Sequence, residues 1–342
     1  MARLVRVRPG ESPGFRRLRA GSGFRYVDAS GAAISDEDRE RIHDLVIPPA
    51  WEDVWICADR DGHIQAVGVD GAGRRQYLYH PQWRARRDRG KFARALALAE
   101  ALPRARGRVT TALRREGLDR ERVLAASFRL LDQAAPRIGS ARYLERHGSR
   151  GLTTLQRRDA VVDGSVVTLS FPGKSGKRAY IEIEDDELAA VLTELSAGRP
   201  HSPLLAYARG RRRVPLTPAE VNAYVRTLTG GSFTAKDFRT LRGTIFAAET
   251  LAKIGTVDTA KDMKRAEALA VAATAEALGN TPAVARGSYI DPRVWTAYER
   301  GRTLDLTVSP ESAIRRLIRG QGHGEGHRGK SGHAARERRA RR

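Results

Sequence analysis

One tyrosine of this chain lies where a nucleophile would be expected. Tyr289 comes nine residues after Asn280, and both follow a predicted helix over 262–278 that ends at Gly279. Asp291 and the proline after it begin the next helix, so Tyr289 lies in a connection from which a side chain can reach a ligand. A phenol, with a pKa of about 10, attacks a phosphodiester at neutral pH only where cations surround the target. Tyr289 therefore requires basic partners from elsewhere in the chain.

Two arginines upstream of Tyr289 are candidates for those partners. The motif Lys236-x-x-Arg239 opens a predicted helix over 236–252. The apolar residues of that helix form one face and leave Arg239 off its centre, pointing away from the core. Arg137 directly follows a predicted helix over 119–135, which a proline ends. Both arginines, together with Lys236, could converge on one phosphate.

A third basic candidate lies at the tip of a predicted hairpin. Strands over 166–171 and 177–183 flank a turn that places Lys174 at its apex. By composition alone Lys174 is a solvated turn lysine. A function is favoured only because the chain also contains the basic residues and the tyrosine described above. The triplet Gly173-Lys174-Ser175 is not a nucleotide-binding P-loop, because Thr168 occupies the position of the first glycine and a strand follows instead of a helix.

The charge of the chain favours a polyanionic partner. Sixty-two Lys and Arg residues against forty Asp and Glu residues give a formal charge of +22. The tail over 320–342 contributes +5 of this charge, which leaves +17 on the rest. Such a field exceeds what solubility requires, and nucleic acid is the first ligand to expect.

Basic and aromatic residues also alternate near the end of the N-terminal region, at Arg74, Arg75, Tyr77 and Tyr79. A strand there places both tyrosines on one face, where they would either stack on sugars and bases or cap the core of a small domain. These two interpretations carry equal weight. The next stretch favours contacts with a nucleic-acid backbone over a merely solvated face. Its basic residues include Arg84, Arg86, Arg87 and Lys91.

The pattern of elements predicts an α+β protein of two domains. The first is rich in short strands and carries one helix over 36–45, capped by Ser35. The second is mainly helical with a short β-hairpin or sheet. The predicted boundaries are a β-rich DNA-binding domain over 1–82, a basic linker over 83–91, a catalytic domain over 92–319 and a disordered basic tail over 320–342.

Several other classes of protein are not expected. A single cysteine, Cys57, gives no disulfide framework and fits a strand of a protein from a reducing cytosol. The chain shows neither a signal peptide nor a run of apolar residues that could cross a membrane. The histidines lack the spacing of metal ligands. We expect an intracellular protein without a metal site.

The chemical set resembles that of the type IB DNA topoisomerases, specifically the small poxvirus-like bacterial branch. Each motif is a modest signal alone, but their shared order and spacing are specific. The resemblance extends from the N-terminal strands to Trp295. It is carried by Ile47-Pro48-Pro49-Ala50-Trp51, Arg137, Gly151-Leu152-Thr153-Thr154-Leu155, Lys174, Lys236-x-x-Arg239, Asn280 and Tyr289.

The resemblance implies a fold and a mechanism. A small β-rich domain and a larger helical domain would close around duplex DNA as a clamp, in a cytoplasmic, nucleoid-associated monomer. Tyr289 would form a 3′-phosphotyrosyl link, and reversal of this step would reseal the strand after rotation. Arg137 and Arg239, with Asn280, would stabilise the phosphate oxygens, without ATP, metal or another cofactor. Lys174 would be the general acid, with Lys236 as its helper or alternative.

Asn280 departs from the viral members of that family, which place a histidine there. An asparagine amide can donate a hydrogen bond to a phosphate but carries no charge, so acid and base roles are excluded at this position. Two alternatives share parts of the pattern. A tyrosine recombinase would use the same nucleophile, but usually has histidine in place of Lys236 and a helical N-terminal module. A non-catalytic DNA-binding protein would be favoured if Tyr289 were buried.

Overall fold

The computed structural model describes residues 3–320, and the chain divides into two units, Met1–Gly90 and Lys91–Arg342. The α+β class is confirmed, because strands dominate the first unit and helices the second. Apart from Gly320, the predicted basic tail lies outside the described residues. Within residues 3–320, helices that combine the length and the apolar character of a membrane span are absent.

The first unit is built on an antiparallel sheet of five strands. They are β1 (Gly14–Ala20), β2 (Gly23–Val27), β3 (Glu52–Cys57), β4 (Ile64–Val69) and β5 (Arg75–Tyr79). Their order across the sheet is β2-β1-β3-β4-β5. Ile56 and Cys57 are neighbours in β3 and therefore point to opposite faces, and a separate apolar cluster forms around each of them. Cys57 is a free, buried thiol in a strand, as predicted.

Helix α1 (Asp36–Asp44) covers one face of this sheet. Ser35 is its cap, since the Ser35 hydroxyl accepts a hydrogen bond from the backbone N–H of Asp38 at 3.1 Å, as the sequence predicts. Ile42 is 1% exposed and joins the apolar cluster around Ile56. The helix thus closes the core on that face.

Strand β1 was not expected from the sequence, because arginines occupy three of its seven positions. The Arg17 guanidinium lies 4.1 Å from the centroid of the Phe24 ring and donates a hydrogen bond to the Pro48 carbonyl at 3.1 Å. The same guanidinium donates to the Trp51 carbonyl. The aliphatic stem and the guanidinium of Arg17 therefore pack where an apolar side chain would usually lie, and they hold the segment 47–51 against the sheet.

Helix α2 (Pro81–Leu113) runs through the boundary between the two units. The predicted basic linker over 83–91 is therefore helical, and the division by contacts falls between Gly90 and Lys91. Arginine is a good helix former, so a run of arginines after Pro81 continues a helix as readily as it solvates a loop.

The second unit contains the remaining nine helices of residues 3–320. They are α3 (Arg120–Ala134), α4 (Ala141–His147), α5 (Asp186–Ser196), α6 (Pro218–Thr229), α7 (Ala235–Ile254), α8 (Ala260–Ala277), α9 (Pro282–Ser288), α10 (Arg293–Glu299) and α11 (Pro310–Arg319). Helix α7 is central and packs against α3, α6, α8, α10 and α11. Phe238 of α7 meets Phe128 of α3 edge to face, with ring centroids 5.4 Å apart.

Two small antiparallel sheets complete the second unit. One contains β6 (Ala160–Asp163), β7 (Val166–Pro172) and β8 (Arg178–Glu184), in this order. The other is a hairpin of β9 (Ala206–Arg209) and β10 (Arg212–Pro215). Strands β7 and β8 form the predicted hairpin, and a single 3-10 turn at its tip, Lys174–Gly176, carries Lys174.

An ion-pair cluster with two buried carboxylates ties helix α11 to the rest of the second unit. Arg106 of α2 donates hydrogen bonds to both carboxylate oxygens of Asp132 in α3, at 2.7 and 2.9 Å, and to Glu311 of α11 at 2.5 Å. The Asp132 and Glu311 side chains are only 5% and 8% exposed. One guanidinium thus satisfies two buried carboxylates, which would otherwise be costly to keep charged.

Candidate active site

Tyr289 lies at the C-terminal end of a short helix rather than in an irregular connection. It is the C-cap of α9, and its backbone N–H donates to the Ala285 carbonyl at 3.0 Å. Thr281 caps the other end of α9 by accepting from the N–H of Val284. The side chain of Tyr289 is half-buried, so the ring is held by the protein while one side stays accessible.

Arg239 lies directly against the ring of Tyr289. Its guanidinium carbon is 5.1 Å from the ring centroid, within the range of a cation–π contact. The prediction that Arg239 points away from the core was wrong, since the residue is 5% exposed. Its terminal nitrogens donate to the carbonyls of Ala135 and Leu278, each at 2.7 Å. These carbonyls belong to the caps of α3 and α8, whose negative dipole ends stabilise the buried cation.

Arg137 and Asn280 form a second contact of the same site. Arg137 donates to the Gly279 carbonyl at 3.0 Å and to Oδ1 of Asn280. Since Oδ1 is the acceptor in this pair, the other end of the amide, Nδ2, must be a donor. Within residues 3–320 the buried Nδ2 has no hydrogen-bond partner. An unused buried donor beside an arginine is suited to an oxygen of a bound phosphate.

The backbone around Arg137 is fixed by the segment 151–155. Leu152 and Thr153 donate their N–H groups to the carbonyls of Arg137 and Ile138, at 2.8 and 2.9 Å. Gly139 has φ +78°, and a Cβ there would lie 2.8 Å from Oγ1 of Thr154. The two segments therefore touch through backbone, and glycine is required at the contact.

The charges of the site act on the ionisation of Tyr289. Burial of the phenol raises its pKa, but the positive charges of Arg239, Arg137 and Lys236 outweigh burial and bring the pKa of Tyr289 below its ordinary value. Burial and the neighbouring charge of Arg239 lower the pKa of the Arg137 guanidinium. The site thus favours an anion at its centre, as a phenolate or a phosphate would provide.

Lys236 lies at the start of α7, one turn before Arg239, with an exposed side chain. The helix start is fixed by Asp237, whose carboxylate accepts from the N–H and the hydroxyl of Thr234, both at 2.9 Å. Asp237 also pairs with Arg94 at 3.2 Å. Lys236 therefore projects from a rigid helix turn, within electrostatic reach of Tyr289.

Lys174 shares a cavity with Arg137. The cavity has a volume of about 420 Å³ and is also lined by Tyr143 and Arg150. The Lys174 side chain is exposed at the hairpin tip, so it can move toward a ligand in this cavity. The structure thus places Arg137, Arg239, Asn280 and Tyr289 in one cluster, with Lys236 and Lys174 at its margins.

The predicted DNA contacts in and beside β5 differ in exposure. Tyr77 and Tyr79 stack at 6.0 Å between ring centroids, but only Tyr79 packs on an apolar cluster, while Tyr77 is 39% exposed. Arg74 pairs with Asp70 at 2.8 Å, and Arg75 is exposed in β5. Tyr79 therefore packs on the core of the first unit, whereas Tyr77 is an accessible ring.

The basic stretch of α2 presents a broad, open cavity of about 860 Å³ within the first unit. Arg84 is exposed on the same stretch. Arg87 also lies 5.5 Å from the centroid of the Tyr79 ring, and Lys91 lies 4.2 Å from that of Phe92. The side chains that line the cavity include Arg3, Arg6, Trp83, Arg86, Arg87 and Arg89.

Other candidates for the chemistry are poor by comparison. Tyr298 is 3% exposed, its hydroxyl donates to the Gly255 carbonyl at 2.7 Å, and burial raises its pKa. Clusters of three or more metal-binding side chains are not found among the residues that the structure describes. Unlike Tyr298, Tyr289 lies beside cations that bring its pKa below the ordinary value.

Two residues of the site were missed in the sequence. Gly243 lets α7 approach Tyr289, because a Cβ there would lie 2.9 Å from the Tyr289 carbonyl oxygen. Thr244 places its hydroxyl 3.1 Å from the same oxygen. The only available signal was a glycine inside a predicted helix, which often marks a close approach of backbones.

The fold and the site together define an enzyme class, and comparison with known proteins agrees. The family model described as the eukaryotic DNA topoisomerase I catalytic core matches residues 80–298, and that of the bacterial DNA topoisomerase IB N-terminal domain matches residues 23–70. The chain belongs to the type IB DNA topoisomerases. DNA topoisomerase 1B of Acanthamoeba polyphaga mimivirus is 28% identical over 314 residues, covering 90% of this chain and 94% of the viral protein. The chain is thus an isomerase that acts on DNA, and the recombinase and non-catalytic alternatives fall away.

Proposed function

We propose that the enzyme relaxes supercoiled duplex DNA through a covalent bond between Tyr289 and a DNA 3′-phosphate. The observation that carries this proposal is the cluster of Arg239, Arg137 and the unused Nδ2 donor of Asn280 around the Tyr289 ring. These groups offer positive charge and hydrogen-bond donors, and the cations lower the pKa of the Tyr289 phenol. Such a site is suited to an anionic transition state beside a nucleophile.

The reaction is a reversible exchange of one phosphodiester for another. The phenol of Tyr289 loses its proton to solvent, its oxygen forms a bond to the phosphorus, and the bond from phosphorus to the 5′-oxygen breaks. The 5′-oxygen leaves as a hydroxyl after it gains a proton from a general acid. The free end rotates, and the hydroxyl then attacks the phosphotyrosine to restore the strand and release Tyr289. Bond energy is conserved, so ATP is not required.

Each cationic residue has a distinct part in this scheme. Arg137 and Arg239, with Nδ2 of Asn280, hold the non-bridging oxygens and stabilise their charge in the transition state. Lys174 is the general acid, because it is exposed at a hairpin tip beside the Arg137 cavity and can follow the leaving oxygen. Lys236 adds positive charge and is the alternative acid.

The rest of the molecule would hold the duplex. The arginines of the α2 cavity and of the β5 region contact backbone phosphates, and Tyr77 offers an exposed ring for stacking. The enzyme works on duplex DNA as a monomer in the cytoplasm, on the nucleoid. The net charge of +22 supports tight, salt-dependent binding.

The assignment of the nucleophile is tested by trapping the adduct. Tyr289→Phe should bind a duplex as wild type does but form no covalent adduct, whereas Tyr298→Phe should cleave normally. Digestion of the wild-type adduct should yield a DNA-linked peptide that contains Tyr289. A DNA-linked peptide around a different tyrosine would overturn the assignment.

A further inference from the structure

The threonine hydroxyl behind Tyr289 makes more contacts than a helical threonine needs. Thr244 of α7 is 2% exposed. Its Oγ1 lies 3.1 Å from the carbonyl oxygen of Tyr289, accepts the backbone N–H of Asp291 at 3.1 Å, and lies 2.8 Å from the Thr240 carbonyl. A hydroxyl has one proton and two lone pairs, so its donor capacity is shared between the two carbonyls.

A buried threonine elsewhere in the same unit shows what the local requirement is. Thr274 of α8 is 0% exposed, and its hydroxyl donates to the carbonyl of Ala270, four residues back, at 2.8 Å. That single bond is the usual way in which a threonine inside a helix satisfies its hydroxyl. Thr244 has the equivalent contact and adds two more, to a segment 45 and 47 residues further along the chain.

The extra contacts hold both sides of the bend that carries the nucleophile. Tyr289 and Asp291 flank Ile290, which is 0% exposed. The hydroxyl of Thr244 contacts the backbone on each side of Ile290, so it fixes the path of the chain where α9 ends and α10 begins. The next residue of α7 toward its start, Gly243, has no side chain to keep this backbone away.

Helix α7 also carries the cation of the site. Arg239 lies five positions before Thr244 on the same helix and reaches the Tyr289 ring, while Thr244 reaches the Tyr289 backbone. One rigid element therefore contacts the tyrosine at two points. The guanidinium carbon lies 5.1 Å from the ring centroid, and the same helix holds the backbone of the residue that carries the ring.

We propose that Thr244 is a positioning residue for the cleavage reaction, whose hydroxyl holds the Tyr289 backbone so that the phenol stays beside Arg239. Thr244 itself does not touch the phosphate. This inference rests on the proposed role of Tyr289 as the nucleophile. A loss of the hydroxyl would displace the phenol without changing the groups that bind DNA.

The test compares three variants of the full chain. Thr244→Val keeps the shape of the side chain but removes the hydroxyl, and Thr244→Ser keeps the hydroxyl. Thr274→Val is the matched control, because it removes a buried threonine hydroxyl that makes only the local helix bond. For each variant we would measure the single-turnover rate of adduct formation on a duplex, the affinity for the same duplex and the thermal midpoint, and would map the adduct by peptide digestion.

The expected result is a split between rate and binding. Thr244→Val should slow adduct formation on the order of 10- to 100-fold, the penalty of a nucleophile displaced by up to about 1 Å, while DNA affinity stays within about twofold. Thr244→Ser should recover most of the rate, and Thr274→Val should cleave as wild type does.

The proposal is overturned if Thr244→Val cleaves at the wild-type rate, if Thr274→Val is equally slow, or if Thr244→Ser does not recover. If Thr244→Val fails to fold, Thr244→Ala takes its place, and the same loss of rate at unchanged affinity is expected of it. The adduct map is a separate result. A peptide without Tyr289 would refute the nucleophile itself, whereas a normal rate with Tyr289 in the peptide would refute only the role of Thr244.

Discussion

Replacement of Gly243 by alanine offers a direct measure of how accurately the nucleophile must be placed. A Cβ at position 243 would lie 2.9 Å from the carbonyl oxygen of Tyr289, 3.0 Å from the Tyr289 Cβ and 3.0 Å from Cδ1 of Leu278. Ordinary contacts begin at 3.4 Å, so the Tyr289 backbone would have to retreat by about half an ångström. Leu278 can rotate, but a backbone carbonyl at a helix end cannot.

The size of the effect follows from that displacement. Because a misplacement of about 1 Å can cost about 100-fold in rate, half of it should slow cleavage by about tenfold. The fold should survive, since alanine favours a helix over glycine by about 1 kcal/mol, against about 1–3 kcal/mol for the added bulk. The net loss of stability should be no more than about 2 kcal/mol.

Single-turnover formation of the covalent adduct, at saturating enzyme, is the appropriate assay, with duplex affinity and urea unfolding measured in parallel. Gly107→Ala is the control, because Gly107 lies within helix α2 and a Cβ there would meet nothing within 4 Å. The control should cleave as wild type does. A wild-type rate for Gly243→Ala, in a protein that unfolds cooperatively, would refute the reasoning that α7 sets the position of Tyr289.

Three further outcomes are expected. Lys174→Ala should slow cleavage by at least about 10²–10⁴-fold. A bridging 5′-sulfur leaves without a proton, so it should restore the rate of Lys174→Ala but not that of Arg137→Ala. Equal rescue of both variants would show that Lys174 is not the general acid. Because Arg239 lowers the pKa of Tyr289, Arg239→Gln should raise this pKa and move the pH–rate profile for cleavage to higher pH, and an unmoved profile would contradict this coupling. Burial raises the pKa of Glu311, but the hydrogen bond and charge of Arg106 lower it by more, so the pKa in the folded protein is below its ordinary value. The ionised carboxylate therefore stabilises the folded protein above the unfolded pKa of about 4.3, and this stabilisation is lost as the pH falls through the folded pKa. Glu311→Gln should therefore cost about 1.5–3 kcal/mol at pH 7 in urea unfolding, and the difference from wild type should shrink below about pH 4.

Much of the helical framework could be predicted from local signals. The cap at Ser35 and the hairpin around Lys174 both depend on residues within a few positions of one another. Such signals act through bonds that the segment makes with itself. The structure forms each of these elements where the sequence places it.

The burial of Arg239 could not be predicted in this way. The helical pattern of α7 placed it off the apolar face, which suggests a side chain in solvent. Its acceptors are carbonyls 104 and 39 residues away, and only the tertiary fold brings them together. Helix α9 was not predicted either, because its seven residues are too few for a periodic apolar pattern. Strand β1 was not predicted because arginines occupy positions where an alternation of apolar residues would have indicated a strand.

Because two backbone carbonyls anchor Arg239, few substitutions can remove its hydrogen-bond acceptors. A carbonyl oxygen is present whatever side chain the residue carries, so mutations at Ala135 or Leu278 leave the acceptors in place as long as both helices end where they do. Ala135 itself has φ +47°, a conformation that glycine adopts at less cost. The two acceptors therefore depend on where the helices end, while burial and the positive φ restrict the side chains that fit at the anchor positions.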